Sequence, residues 1–162
     1  MAYPDIDALT NPLATDPRVG HAQLHTDINE ALRYGIRKAT VTLSSADILA
    51  LNTTPITLVA APGVGKSLLL HRVFCQYAYG TAAYVNGDGA PVLTLEGVVS
   101  LTLSGLIDQT NDYRKSFPAP DLDTASDPSN KAWTVDDGGA AHTDGDGTLT
   151  VTIWYSIEDV PA

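Results

Sequence analysis

Very short connections separate the strand candidates in the middle of this chain. Residues 91–96 and 98–103 are rich in Val, Leu and Thr, and a single residue, Gly97, lies between them. A connection between parallel strands needs about a dozen residues or more, whereas a hairpin turn needs only about two. Consecutive strands are therefore expected to lie antiparallel, which argues against the parallel, helix-covered sheets of nucleotide-binding enzymes.

The clearest strand pattern comes near the end of the chain. From residue 148 to 157, apolar side chains alternate with Thr, Trp and Ser, which is the period of a strand that buries one face. A shorter segment places Trp133 and Val135 on one face of another strand. Further strand candidates are residues 41–43, 56–59 and 82–85 and a long segment that ends at Tyr79. We predict an all-β protein, an antiparallel β-sandwich that is jelly-roll-like, with about eight short strands.

The first 39 residues lack the apolar pattern of a core. They carry Pro4, Pro12 and Pro17, and no period of two or 3.6 runs through them. Residues 27–34, with an acidic cap and Gly35 at the end, predict one short helix. We therefore expect an extended N-terminal arm over residues 1–39 that lies on another surface, followed by a β-sandwich domain over residues 40–162.

Three local sequence patterns within the β domain predict a helix cap, a hairpin and a long loop. Ser44 or Ser45 is expected to cap a single helical turn. The sequence NGDG at residues 86–89 predicts a tight hairpin. Residues 108–130 contain three prolines and several Asp residues, and we interpret them as one long irregular loop with a function or a partner.

Residues 60–67, AAPGVGKS, are similar to the phosphate-binding loop of nucleotide-binding proteins. In such a loop Gly63 and Gly65 would turn backbone amides toward a phosphate. Lys66 would reach its oxygens, and Ser67 would hold Mg²⁺. This arrangement requires a helix after the loop.

The residues after this loop favour a strand over a helix. Val73, Phe74 and Tyr77 are weak helix formers and prefer extended backbone. Asp108, at the end of LSGLID, is only a weak counterpart of the acidic residue that completes such sites. We therefore interpret residues 60–67 as a turn between strands, with positive φ at its glycines, and expect no cofactor and no enzymatic activity. A P-loop nucleotide-binding protein remains the alternative.

Charge and cysteine content exclude several classes of function. The chain has 9 basic and 19 acidic residues, a net charge of −10, so we expect no nucleic-acid partner. No apolar run is long enough to cross a membrane, and the first residues do not resemble a secretion signal, so we expect no membrane association and no secretory export. Cys75 is the sole cysteine, and we expect a buried apolar side chain rather than a catalytic thiol.

A Gly-rich loop near the C-terminus collects five ionisable residues: Asp136, Asp137, His142, Asp144 and Asp146. Of these, Asp144 and Asp146 are the weak candidates for metal ligands, because Ca²⁺ prefers carboxylate oxygens. Thr148 stands where an EF-hand loop would need a further ligand, so we interpret the segment as a solvated turn without a metal. The other histidines, His21, His25 and His71, are too scattered for a metal site.

Three segments, in this order, carry a resemblance. They are LSSADILALNTTPITLVAAPGVGKSLLL, the turn YGTAAY at residues 79–84, and GDGTLTVTIWYSIEDV near the C-terminus. Together they resemble small structural proteins of tailed-bacteriophage virions, in which an A-P-G-x-G-K turn joins two early strands of a β-sandwich and a G-D-G-T strand ends the domain. The resemblance covers about residues 43–160, with the Pro-rich loop unmatched.

The resemblance implies a structural role rather than catalysis. It is typical of a capsid decoration, or cement, protein on the virion surface that stabilises the head shell. The implied partners are the major capsid protein and sister subunits in a homo-trimer, and no catalytic residue is implied. The alternative is a tail or fibre component with a carbohydrate- or receptor-binding surface, for which Trp133, Trp154 and Tyr84 are the aromatic candidates.

Overall fold

The computed structural model describes residues 35–85, 90–121, 126–137 and 141–160. Residues 1–34 of the predicted arm, which include its helix at residues 27–34, and the predicted hairpin at residues 86–89 lie outside these ranges. The chain divides into two units, Met1–Gly35 and Ile36–Ala162, and the second contains the β domain. Its first strand begins at Arg37, three residues before the predicted domain boundary.

The described residues form eight strands and one helix. In chain order they are β1 (Arg37–Leu43), α1 (Ser45–Ala50), β2 (Ile56–Val59), β3 (Lys66–Ala78), β4 (Pro91–Leu95), β5 (Val99–Thr102), β6 (Tyr113–Pro118), β7 (Trp133–Asp137) and β8 (Thr148–Asp159). They build two four-stranded sheets, with strand orders β1-β8-β3-β6 and β2-β7-β4-β5. All strand pairs in both sheets are antiparallel. The predicted all-β, antiparallel sandwich is confirmed.

The hydrophobic core lies between the two sheets. In β8, Leu149, Val151 and Ile153 are fully buried, as the alternating pattern predicts. Trp133 on β7 is also fully buried, and its indole Nε1 donates a hydrogen bond to the carbonyl of Leu68 on β3, at 3.2 Å. This bond joins the two sheets, because β7 and β3 belong to different ones.

A β-bulge interrupts β3 and explains its irregular pattern. Leu70 pairs with Tyr155, and Arg72 pairs with the next residue along β8, Trp154, so His71 is the extra residue. An extra residue reverses the alternation of faces beyond it. Leu70 before the bulge and Val73 after it therefore both point into the core.

The predicted cap of the short helix is confirmed. Ser44 is the N-cap of α1: its hydroxyl accepts a hydrogen bond from the Asp47 amide, and the Asp47 carboxylate accepts one from the Ser44 amide. This reciprocal pair is a capping box. The helix is only six residues long, and burial of Ile48 holds it against the core.

Residues 82–85 do not form the predicted strand. Val85 alone makes an isolated bridge, to Thr143. The preceding backbone donors have other partners, because the Ala82 amide bonds to the Asp146 side chain and the Tyr84 amide bonds to the Ile107 carbonyl. A strand needs these donors for a neighbouring strand, so the β-prone sequence remains a loop.

The predicted irregular loop over residues 108–130 is partly wrong, since it contains β6. This strand forms an edge of its sheet and pairs with β3 along its length. Lys115 and Phe117 lie on its core-facing side. The Lys115 ammonium donates a hydrogen bond to the Ser104 carbonyl at 2.8 Å. A Lys in place of an apolar residue hides the period of two, and charge on an edge strand protects it from further pairing.

Within the described ranges, no helix is long and apolar enough to span a membrane.

Candidate functional site

The loop that is similar to a phosphate-binding loop joins the two sheets. It runs from β2 in one sheet to β3 in the other. Gly63 has φ of 106° and Gly65 has φ of 73°, and the Lys66 amide donates to the Gly63 carbonyl at 3.2 Å. These are left-handed conformations that favour glycine, so the predicted turn with positive φ at both positions is confirmed.

The side chains of this loop are directed elsewhere than toward a phosphate site. Lys66 is the first residue of a strand, and its ammonium lies 2.6 Å from the carboxylate of Asp159 at the end of β8. The Ser67 side chain is buried. Asp108 is exposed in a turn rather than at the end of a strand. A helix N-terminus, which would favour phosphate, is replaced here by β3.

Asp146, in the G-D-G-T segment, bonds to the turn at residues 79–84. Its carboxylate accepts hydrogen bonds from the Thr81 amide at 2.7 Å, the Thr81 hydroxyl at 2.7 Å and the Ala82 amide at 2.9 Å. We call this arrangement of Asp146 on the turn at residues 79–84 the Asp146 clasp. The hydrogen bonds from Thr81 are the main reason that the pKa of Asp146 lies below its ordinary value.

Glycines beside Asp146 allow close contact within the clasp. A Cβ on Gly145 would lie 2.1 Å from the ring of Tyr84, and a Cβ on Gly147 would lie 2.6 Å from the Ala78 carbonyl. The Tyr84 hydroxyl in turn donates to the Gly147 carbonyl at 2.7 Å, in the protein interior. The glycines of the G-D-G-T sequence are therefore packing residues. The interpretation of this segment as an acidic loop missed that role. The repeated Gly around an Asp is the signal that could have indicated it.

The predicted weak metal ligands have local roles. Asp146 belongs to the clasp, and Asp144 adopts a positive φ of 65° while its carboxylate accepts a hydrogen bond from the Thr143 hydroxyl at 3.1 Å. Asp side chains commonly stabilise turns in this way. Across the parts of the chain that the structure describes, no group of three His, Cys, Asp or Glu side chains is arranged to hold a metal ion.

His142 and Asp137 form a buried pair behind this loop. Both side chains are fully buried, and the His142 Nε2 atom lies 3.5 Å from the Asp137 Oδ2 atom. The imidazole also lies edge-on to the Tyr84 ring, with centroids 6.4 Å apart. Burial lowers the pKa of His142 from its ordinary value, and the Asp137 carboxylate only partly opposes this. The predicted solvated turn thus contains an interior ionisable pair.

Two of the three aromatic candidates for a carbohydrate-binding surface are inside the protein. Trp133 is 0% exposed and Tyr84 is 2% exposed. Trp154 remains half-buried on the outward face of β8. The Lys38 ammonium lies 5.8 Å from its ring centroid, and the Arg72 guanidinium carbon lies 5.5 Å from it. Trp154 is therefore already in contact with two cations.

Cys75 is a core residue. It is fully buried on β3, and burial raises its pKa to about 12. A thiol with this pKa stays protonated near neutral pH, whereas the thiolate is the reactive form. The side chain therefore packs as a small apolar group, as predicted.

Comparisons with known proteins give one distant structural similarity. No protein-family profile and no curated protein match the sequence. Among solved structures, the chain is similar to one in the cyanophage Pam1 capsid asymmetric unit, with 15% sequence identity and a TM-score of 0.44. The match covers 79% of this chain and 86% of that chain. Identity and TM-score at this level do not establish a shared function.

Proposed function

We propose that this protein is a structural component of a bacteriophage virion rather than an enzyme. In this proposal it is a capsid decoration, or cement, protein that stabilises the head shell. It is made in the host cytoplasm and occupies the capsid surface as a homo-trimer, in contact with the major capsid protein. The proposal includes no cofactor, nucleotide, nucleic acid or membrane.

One observation carries this proposal: the three segments that resemble virion proteins form one structural unit. β3, which follows the A-P-G-V-G-K turn, pairs with β8 over residues 66–78. The Val160 amide returns to the Gly65 carbonyl at 2.8 Å, so the turn is tied to the end of the chain. The Asp146 clasp joins the second segment to the third. The resemblance therefore covers residues that shape one scaffold, and their polar groups are used within it.

The strand pairing supports a jelly roll as the detailed topology. The strands pair as β1 with β8, β2 with β7, β3 with β6 and β4 with β5. In this pattern the first four strands, taken in order, pair antiparallel with the last four strands, taken in reverse order, and so form one long ribbon. Folding that ribbon gives the two sheets. We include an eight-stranded jelly roll in the proposal because that arrangement is how such folds are built.

The test is binding to empty shells. Shells assembled from the major capsid protein of the same phage are mixed with the purified protein and sedimented, and light scattering gives the mass in solution. We expect saturable co-sedimentation, a higher melting temperature of the shell, and, at high protein concentration in low salt, a mass that approaches three times 17.1 kDa. If the protein stays in the supernatant when the shells sediment, the decoration role is contradicted. A monomer or dimer that still binds shells would contradict only the trimer.

A further inference from the structure

The outward face of the β1-β8-β3-β6 sheet, which we call the β8 face, carries no acidic residue across three rows of side chains. Each row crosses all four strands and is centred on one residue of β8: Thr150, Thr152 or Trp154. The alternate residues Val151 and Ile153 are fully buried, so these three rows point away from the core. Twelve neighbouring positions of this face therefore lack Asp and Glu, in a chain whose acids outnumber its bases 19 to 9.

The same rows collect cations from three strands. Lys38 on β1 and Arg72 on β3 lie opposite Trp154 on either side, and Arg114 on β6 lies opposite Gln76. All three cations are exposed. In the part of the chain that the structure describes, the ion pairs are Lys66 with Asp159 and His142 with Asp137, so none of the three has an acidic partner there.

One aromatic side chain of this face, Trp154, is held in place before any partner arrives. Trp154 contacts the cations of Lys38 and Arg72, and the Arg72 Nε atom donates to the Ser116 hydroxyl at 3.1 Å. Phe74 is half-buried in the next row, opposite Thr152. Side chains fixed in this way lose little conformational freedom when they are covered. Trp, Phe and Arg are enriched in protein interfaces and Asp and Glu are depleted.

We propose that the β8 face is the contact through which this protein docks on the acidic surface of a second copy of itself. Charge complementarity selects this partner, since the chain as a whole carries a charge of −10 while the cations of this face have no acidic partner among the described residues. The contact joins unlike surfaces, a cationic face on one copy and an acidic region on the next. Head-to-tail contacts of this kind form a ring when the rotation between copies closes, and a three-fold rotation gives a trimer. The inference deepens the proposed homo-trimer and rests on that part of the proposed function.

The size of the face predicts a weak contact. Four strands about 4.8 Å apart, with three rows spaced by about 7 Å, give a surface of about 400 Å² once the side chains are included. A stable interface buries about 800 Å² on each partner. The contact is therefore expected to be weak for free protein and to depend on salt, because exposed charges are screened beyond about 8 Å at physiological ionic strength.

The experiment compares three charge reversals in the full-length protein. Lys38→Glu and Arg114→Glu change the β8 face, and Lys131→Glu makes the same change of charge outside it. Sedimentation velocity over a range of concentrations, in about 0.02 M and about 0.3 M salt, gives the dissociation constant of self-association. We expect wild type to associate more tightly in low salt, each β8-face variant to associate at least about tenfold more weakly, and Lys131→Glu to match wild type.

Three results would overturn the inference. These are a wild-type protein that stays monomeric in low salt, an association that the β8-face variants leave unchanged, and a Lys131→Glu variant that weakens it equally. Circular dichroism establishes that each variant is folded, and Lys38→Gln and Arg114→Gln replace any reversal that is not. Co-sedimentation with shells separates the two proposals: failure of wild type to bind shells refutes the decoration role, whereas normal association in the β8-face variants refutes the inference alone.

Discussion

Two residues near the C-terminus, Asp146 and Gly147, matter because of their contacts with distant segments of the chain. Asp146 is exposed, yet all the donors around it belong to one turn. Gly147 lets the backbone of Ala78 and the ring of Tyr77 approach closely. In the sequence both residues belong to an acidic, Gly-rich loop, the usual composition of a solvated turn, so composition alone does not separate packing residues from surface ones.

Gly147→Ala is expected to destabilise the fold strongly. Its Cβ would lie 2.6 Å from the Ala78 carbonyl, a backbone atom that cannot move without β3. Overpacking of this kind costs about 3 kcal/mol of unfolding free energy. Gly97→Ala is the matched control, because nothing lies within 4 Å of its Cβ and only its φ of 74° opposes the change, at about 1 kcal/mol. Urea unfolding of both variants measures the difference, and equal losses would show that the close contact is not what matters.

Lys66→Ala is expected to leave the fold nearly unchanged. The side chains of Lys66 and Asp159 are 37% and 56% exposed, and an ion pair this open contributes about 0.5 kcal/mol or less. Calorimetric titration with Mg·ATP is expected to give no binding heat for wild type or the variant, because a strand follows the loop. Micromolar binding in wild type that disappears in Lys66→Ala would restore the nucleotide-binding alternative.

His142 is expected to make stability depend on pH. Because burial lowers its pKa, the folded protein binds this proton less readily than the unfolded chain does. The unfolding free energy should therefore fall as the pH drops from about 7.5 to about 5.5, through the ordinary His value of about 6.5. Carboxyls with a lowered pKa, such as Asp146, contribute at lower pH, through and below the ordinary Asp value of 3.8. Urea unfolding of His142→Phe over the same range should show a flatter dependence, and an unchanged slope would assign the effect to another group.

At the scale of elements, the β3 bulge decides which residues reach the core. Leu68 and Leu70 precede it, and Val73 and Cys75 follow it, and all four are buried. The extra residue, His71, is exposed, and its Nε2 atom lies 3.0 Å from the Ser156 hydroxyl. The bulge thus lets one strand of 13 residues keep two differently phased apolar runs on one face.

Deleting His71 is expected to abolish the native fold. Without the extra residue, either Leu68 and Leu70 or Val73 and Cys75 would turn to the outer face, because a shift of one residue reverses every side chain. Such a loss exceeds about 4 kcal/mol. His71→Ala keeps the bulge and loses only one partly exposed hydrogen bond, so a loss of about 1 kcal/mol is expected. Circular dichroism and urea unfolding distinguish the two, and a deletion variant that unfolds as wild type does would mean that the strand can change its pairing.

Prediction from sequence succeeds for elements whose pattern is local. The sequence of β8 alternates apolar residues with Thr, Trp and Ser, and the cap of α1 follows from Ser44 and Asp47 within one turn. It fails where a distant partner decides the structure. Residues 82–85 have the composition of a strand, but the Ala82 amide bonds to Asp146 and the Tyr84 amide bonds to the Ile107 carbonyl. The sequence of β6 resembles a loop because Lys115 faces inward toward Ser104. The clasp itself joins residues 65 positions apart, so no local pattern shows it.

At the scale of the whole molecule, the β domain contains its own core. The buried apolar cluster runs from Leu43 to Ile153 in the sequence. β1 begins at Arg37 and pairs with β8 over all seven of its residues, as far as Leu43. All eight strands that the structure describes therefore consist of residues after Gly35. Three residues of the predicted arm, Arg37–Ala39, belong to β1, and the described strands contain none of residues 1–35. Attachment by residues 1–35 and folding of the β domain are therefore expected to be separable functions of the chain.

Removing residues 1–35 is expected to leave a folded β domain that attaches poorly to shells. The truncated chain keeps all of β1, so near-native strand content and cooperative unfolding are expected. Removing residues 1–39 instead deletes Arg37, Lys38 and Ala39, three of the seven residues of β1, and so uncovers part of β8. The longer deletion should therefore also lower the unfolding free energy, which makes it the control that separates loss of an edge strand from loss of the arm. Circular dichroism and urea unfolding report the fold, and co-sedimentation with shells reports attachment. If the shorter deletion unfolds, the first 35 residues belong to the core; if it binds shells as tightly as the full chain, attachment depends on the β domain, and the loop that contains residues 119–132 is the next segment to delete.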